Sequence, residues 1–224
     1  KGVLILNGNF TVNSDFVLAP SGILIPSSDE DLSKEFFQYP DNFYITANGM
    51  GHSIISNTGN ILIQGLIDGQ GQGFGSNRGP GCNSLLTDST GNVLNGYGAS
   101  HAGLGYIDMT HEIPPAPHGS YGHYETPLSL GSGAGYYFDN TNTLLGVETC
   151  GGGAIKLVAR SGSITLGGTI DVNGEDGTSF DGTSVGGAAG GSVWLIGWSI
   201  DGTGNISAEG GSTLAPNAGG GGGG

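Results

Sequence analysis

Four histidines crowd one stretch of this chain: His101, His111, His118 and His123, with Asp108, Glu112 and Glu125 among them. Imidazoles and carboxylates in that company are the donor set of a zinc or similar centre. The spacings of 10, 7 and 5 residues (111 − 101, 118 − 111, 123 − 118) fit no compact ligand motif, and Pro114, Pro115 and Pro117 intervene. The expectation is therefore histidines that pack loops or face solvent. A second set is acidic. Asp68, Asp171 and Asp201 could line one outer column, where like charges repel unless a cation or amide neighbour intervenes. Calcium would take such oxygens, but the Gly-Gly-x-Gly-x-Asp nonapeptide of calcium-loaded solenoids is missing. Solvated turn residues are expected here, and calcium is the sole candidate cofactor.

Lys156 and Arg160 share one strand parity, with Glu175 and Asp176 downstream, so a base and carboxylates could meet as in polysaccharide-cleaving sites. Binding acidic sugars takes several cations, and the chain holds five Lys and Arg in all. No catalytic residue is assigned on this basis. Trp194 alternates with Val193 and Leu195 and so points outward, where it could stack on a sugar beside Lys156 and Arg160; packing beneath a neighbouring glycine-rich loop is the commoner use of such a ring. Gly69-Gln-Gly71-Gln-Gly73 has no helix after it and no Lys nearby, so it is no phosphate cradle. Cys82 and Cys150, an even count without Cys-x-x-Cys spacing, suit one disulfide. It would close a loop of roughly 70 residues and stabilise by about 4 kcal/mol in the chain-entropy picture. Asn9-Phe10-Thr11 and Asn205-Ile206-Ser207 are N-glycosylation acceptors, at Asn9 and Asn205.

The elements that must carry these groups repeat. Ile155 and Leu157 recur as Val193 and Leu195, 38 residues on (193 − 155, 195 − 157); Ile164 and Ile170 recur as Ile200 and Ile206, 36 on (200 − 164, 206 − 170). Residues 61–68 overlay 164–171 without a gap, and 3–6 recur near 23–25. Short alternating strands at fixed offsets, split by Gly, Asn and Ser turns, are the pattern of a β-solenoid. Alternation puts Ile61, Ile63, Ile67, Ile164, Leu166 and Ile170 on one face, with Gln64, Thr165, Asp68 and Asp171 opposite. The fold class expected is all-β: a right-handed parallel β-helix with a long Gly/Pro/Tyr/His-rich insertion. Residues 1–224 read as one such domain or a segment of a longer solenoid. Its parts are N-terminal coils at 1–69, a disulfide-stapled insertion at 70–150 and glycine-rich coils at 151–224. Residues 27–41 read as an acidic surface loop whose Phe36, Phe37 and Tyr39 pack back on a coil, and a strand is expected at 43–46. Whether 175–191 and 212–224 are flexible or stack as extended strands is left open. The start at Lys1 and the terminal glycine run suggest a processed or partial segment.

Composition narrows the partners. A formal charge of −14 opposes binding to nucleic acid or anionic lipid, and no stretch reaches the roughly 18 apolar residues of a membrane helix. The 48 glycines alternate with Ile, Leu and Val at fixed spacing, which weakens a reading of disorder, and no strict Gly-X-Y period supports collagen.

The segments Gly-Gly-Gly-Ala-Ile-Lys-Leu (151–157), Gly-Gly-Ser-Val-Trp-Leu (190–195) and Ile-Ser-Ala-Glu-Gly-Gly (206–211) resemble glycine-rich parallel β-helix segments of very large secreted or surface proteins of plants, protists, oomycetes and bacteria. Residues 96–135 look like the insert that precedes such coils in eukaryotic members. The resemblance covers roughly 60–224 and implies the fold; no catalytic set travels with it. One role it implies is building extracellular fibres such as flagellar hairs. The expectation is a non-enzymatic structural component of an extracellular filament, coat or matrix. It would be glycosylated at the cell surface and assemble with itself or other structural chains through β-helix ends or the insertion. The alternatives are a carbohydrate-active β-helix enzyme and an adhesion module dependent on calcium or sugar.

Overall fold

A computed structural model describes residues 2–27, 51–76, 78–82, 98–105, 119–134, 149–180, 183–213 and 220–224. The expected loop at 27–41 beyond Ser27, the strand at 43–46, and His111, His118, Asp108 and Glu112 lie outside these residues. The described residues are all-β, with no helix. Thirteen strands form three parallel stacks visited in rotation. Sheet A holds β1 (Val3–Leu6), β4 (Ile23–Pro26), β7 (Leu66–Asp68), β10 (Thr169–Asp171) and β15 (Asn205–Ser207). Sheet B holds β2 (Phe10–Val12), β5 (His52–Ser56), β8 (Ala154–Ala159) and β13 (Ser192–Ile196). Sheet C holds β3 (Phe16–Leu18), β6 (Ile61–Ile63), β9 (Ile164–Leu166) and β14 (Ile200–Gly202). The cyclic order A, B, C makes each triplet one coil of a β-helix-like stack.

Apolar alternation sets the register. Ile61 pairs with Ile164 and Ile164 with Ile200; Ile67 pairs with Ile170 and Ile170 with Ile206. Ile155 pairs with Val193 and Leu157 with Leu195. These are the offsets that the sequence repeats imply. Inward residues accordingly pile into columns, and Leu24, Ile54, Ile61, Ile63, Ile67, Ile155, Leu157, Ile164 and Ile170 are fully buried. Each contributes about 1.5–3 kcal/mol in transfer from water. Shifting any strand by one residue would turn its aliphatic set outward, which fixes the pairing.

Corners do the rest. Between sheets C and A the chain turns through a glycine column: a Cβ at Gly65 would lie 2.3 Å from the Gly22 carbonyl oxygen, one at Gly168 2.0 Å from that of Gly65, and one at Gly204 2.3 Å from that of Gly168. Only a residue without Cβ lets successive coils approach this closely. Between sheets B and C a polar ladder runs up the stack. Asp15 Oδ1 accepts the Asn60 N–H at 2.7 Å, Asn60 Oδ1 accepts the Ser163 N–H at 2.9 Å, and the Ser199 hydroxyl donates to Ser163 Oγ at 2.8 Å.

The corner from A to B is different, because every long excursion leaves there: 27–51, 69–153 and 172–191. Their described parts are extended and largely buried without forming strand ladders, apart from a small antiparallel pair, β11 (Ser179–Phe180) with β12 (Thr183–Ser184). Hydrogen bonding shows how they pack. The N–H groups of Ala188, Ala189, Gly190 and Gly191 donate in turn to the carbonyls of Glu175, Ser132, Gly222 and Val172. Three consecutive donors thus reach three different neighbouring segments, and the fourth returns to the first. A strand alternates between two sides; a three-residue repeat is the pattern of the polyproline-II type of helix, here with glycine admitting neighbours on all sides. Gly152 and Gly191 show the density: a Cβ there would sit 1.8 Å from the Val172 oxygen and 1.7 Å from that of Gly153. Residues 185–192, 210–211 and 220–224 therefore stack, which answers the question that composition leaves open.

Candidate functional site: the open ends of the stack

A parallel stack leaves unpaired strands at both ends. Among the described residues the strands paired on one side only are β1, β2 and β3 at the first coil and β13, β14 and β15 at the last. Several of their inward residues are exposed although their partners one coil in are not, while Leu6 and Leu18 stay buried. Leu4 is 47% exposed above fully buried Leu24, and Ile200 is 51% exposed beside fully buried Ile164. Phe10 and Phe16 meet edge to face, ring centroids 6.1 Å apart, and only half close the first-coil mouth. Ile206 ends the column of Ile67 and Ile170, 44% exposed. No Lys, Arg, Asp or Glu lies in β1, β2 or β3, so that edge lacks the charges that blunt free edges.

The sequence-derived candidates are distributed around this stack. Lys156 and Trp194 are register partners on the outer face of sheet B, and the Lys156 ammonium lies 3.5 Å above the indole centroid. Such a cation–π contact contributes roughly 0.5–1 kcal/mol at an exposed site. Trp194 is half-buried, with the Lys156 ammonium over its ring. Arg160 is exposed at the following corner, where its carbonyl accepts the Nε1–H of Trp198 at 3.4 Å. Trp198 is 84% exposed. Sequence reasoning missed it: a corner residue belongs to no alternating pattern, and its only signal was an indole outside a strand. Glu175 and Asp176 lie in the A-to-B excursion. Their carboxylates accept the Cys150 and Ser212 N–H groups, each at 2.7 Å, and the structure gives them different partners from Lys156 and Arg160.

Asp68 and Asp171 are stacked neighbours on sheet A, the latter accepting the Asn173 N–H at 2.9 Å. Asp201 is not in their column: it pairs with Thr165 in sheet C and accepts the Ser199 hydroxyl at 2.9 Å. Ser207 occupies the next place above Asp171. Among the described residues no three His, Cys, Asp or Glu side chains are grouped to hold a metal ion. Asn9 and Asn205 are both exposed; Asn9 Oδ1 accepts the Ser53 N–H and hydroxyl at 3.0 and 2.7 Å. Cys82 and Cys150 differ from the expected bridge. No bond between them is shown: Cys82 is buried close to Tyr121, and Cys150 is half-buried with its N–H donating to Glu175.

His101 and His123 do not converge. His123 stacks on Tyr124 at the surface, ring centroids 5.6 Å apart. His101 is buried in the glycine-rich packing, Nδ1 2.7 Å from the Gly190 carbonyl and its ring 4.7 Å from that of Tyr121. Beside them runs a relay: the Gly81 N–H donates to Ser132 Oγ, the Ser132 hydroxyl to the Tyr121 oxygen, and the Tyr121 hydroxyl to the Leu130 carbonyl. Burial pushes the Tyr121 phenol well up, so it stays a neutral donor; its bond from Ser132 opposes the shift and nearby Cys82 adds to it. Burial also lowers the His101 pKa, partly offset by its backbone contacts at Gly190 and Gly191. A group whose folded pKa lies below its unfolded value stabilises fully above the unfolded value, about 6.5. That contribution is lost as pH falls from there towards the folded pKa. The melting temperature is accordingly expected to drop on acidification below about pH 6.5, and a His101→Gln chain to show a shallower drop over the same interval. Equal slopes in thermal melts from pH 7 to 5 would refute the assignment.

No helix among the described residues is long and apolar enough to cross a membrane. Comparison with protein families, curated proteins and solved structures finds no match for this chain.

Proposed function

We propose that this chain is a non-enzymatic structural component of an extracellular filament, coat or matrix, a right-handed coil glycosylated at Asn9 or Asn205. The observation that carries the reading is the state of the two ends. Among the described residues each presents three parallel strands paired on one side only, and the inward Leu4, Phe10, Ile200 and Ile206 are 42–51% exposed while Leu24, Ile54, Ile164 and Ile170 one coil away are fully buried. Such edges recruit more strands, and apolar surface of this kind marks an interaction site in a soluble protein. An acidic, lysine-poor surface keeps the sides of the stack from associating and leaves the ends as the sticky places. Immunogold imaging of native material tests the reading. Label along ordered extracellular fibres or a coat is expected; label confined to dispersed monomer would overturn it.

One observation favours a second reading, an adhesion module for acidic glycans. Both tryptophans and two of the five basic residues, Lys156 and Arg160, share the outer side of β8 and β13 and the corner after them. Exposed Trp198 could stack on a sugar ring while Arg160 meets a carboxylate or sulfate. Trp198→Ala is then expected to weaken binding to an acidic polysaccharide about tenfold, since ring stacking contributes on the order of 1 kcal/mol. Calorimetry showing no binding by the parent chain, or equal binding by both, would remove this reading.

A further inference from the structure

Two Asn-Gly pairs lie among the described residues, Asn7-Gly8 and Asn173-Gly174, and their surroundings are opposite; those at 48–49 and 95–96 fall outside them. An asparagine followed by glycine can close on itself, because the glycine nitrogen attacks the side-chain Cγ and no side chain obstructs the five-membered imide. The step is limited by the proton on that nitrogen, which must leave as the new bond forms. An N–H whose acceptor is a base can shed it, and one bound to a carbonyl cannot.

At Asn7-Gly8 the acceptor is a base. The ladder that pairs Phe10 with Ile54 brings Gly8 to His52, and the Gly8 N–H donates to His52 Nδ1 at 3.1 Å. The other ring nitrogen, Nε2, meets the Ser27 carbonyl. A carbonyl only accepts, so Nε2 carries the ring proton and Nδ1 keeps its lone pair on the Gly8 N–H. His52 stands at an inward place of sheet B, in line with Ile155 and Val193, so an imidazole fills a position that is aliphatic in the next two coils. Gly8 has φ +111, and a Cβ there would meet nothing within 4 Å. Backbone conformation and not crowding calls for this glycine, which leaves room for the ring to close. Asn7 itself is exposed.

Asn173-Gly174 lacks every one of these features. The Gly174 N–H donates to the Glu209 carbonyl at 2.9 Å, which cannot take its proton. Asn173 Oδ1 is held by the Ser207 hydroxyl at 2.7 Å and the Glu209 N–H at 2.6 Å, so the carboxamide is tied to the neighbouring coil and away from its own chain. A Cβ at Gly174 would lie 2.3 Å from the Ala188 oxygen.

We propose that Asn7-Gly8 is a self-modification site at which His52 is the catalytic base. The Gly8 nitrogen bonds to Asn7 Cγ as its proton passes to His52 Nδ1. The Cγ–Nδ2 bond then breaks, the imidazolium returns the proton to Nδ2, and ammonia leaves. Water opens the imide at either carbonyl, giving aspartate or isoaspartate at position 7. Both products add a negative charge, and isoaspartate also lengthens the corner between β1 and β2 by one backbone atom, which moves Gly8 off its seat on His52. The change runs one way, so the converted fraction records the age of a chain.

Peptide mapping by mass spectrometry tests it, following conversion of amide to acid at both pairs in neutral buffer, with the guanidinium-unfolded chain as the reference. Asn7 is expected to convert faster in the folded chain than in the unfolded one, and Asn173 to stay an amide while the fold holds. His52→Gln keeps an acceptor for the Gly8 N–H but no base, and should slow Asn7 by about a hundredfold, the lower end for general-base catalysis. An Asn7 that converts no faster folded than unfolded, or equally fast in the His52→Gln chain, would overturn the proposal. Should Asn173 convert in that variant as well, its fold has loosened, and the folded and unfolded parent chains decide alone: faster when folded supports the base, and no faster refutes it.

Discussion

Replacing Gly191 by alanine is expected to cost about 3 kcal/mol or more, or to prevent folding, whereas Gly167→Ala should stay within about 1 kcal/mol of the parent chain. Both are glycines of the stack, and neither has a left-handed backbone, so the difference isolates space from conformation. A methyl at Gly191 would sit 1.7 Å from the Gly153 oxygen; one at Gly167 meets only the Ile63 oxygen, at 3.8 Å. The crowded atom is backbone and cannot rotate away. Gly153 immediately precedes β8, and its carbonyl accepts the N–H of Ser192 at the head of β13. Relieving the clash therefore means parting β8 from β13 at the start of their shared ladder. Overpacking that ordinary cores absorb for 1–3 kcal/mol has no side chain here to absorb it. Urea melts of the two variants decide the matter. A Gly191→Ala chain as stable as the parent would show that the glycine-rich segments are not packed as described.

That crowding also explains what could be read in advance. The strand stack was legible because its information sits in side chains: Ile155, Leu157, Ile164 and Ile170 recur at offsets that the pairing with Val193, Leu195, Ile200 and Ile206 reproduces. The glycine-rich packing was not, because its three-residue rotation of donors belongs to the backbone, and glycine writes no apolar pattern for it. Local likeness misled in one place. Ile67-Asp68, Ile170-Asp171 and Ile200-Asp201 look alike as dipeptides, yet the third lies in sheet C because Ile200 pairs with Ile164 and not with Ile170. His101 stood out by type, but its burial against Gly190 depends on segments 89 residues apart, beyond any spacing rule.

The column of Phe16, Ile61, Ile164 and Ile200 carries the second large effect. Ile164 is fully buried between Ile61 and Ile200, and Ile164→Ala should cost about 2–5 kcal/mol: methylenes lose their burial and the flanking coils, held by the Asp15–Asn60–Ser163–Ser199 ladder, cannot collapse into the cavity. Ile200→Ala removes the same atoms one coil later, from a side chain already 51% exposed. For the isolated chain its cost should be about half that figure or less, since the transfer term scales with area removed from water. Thermal melts of both variants read this directly: the Ile164→Ala deficit should be about twice the Ile200→Ala deficit or more. Equal deficits at the two positions would mean that Ile164 is not enclosed between Ile61 and Ile200 as the pairing places it.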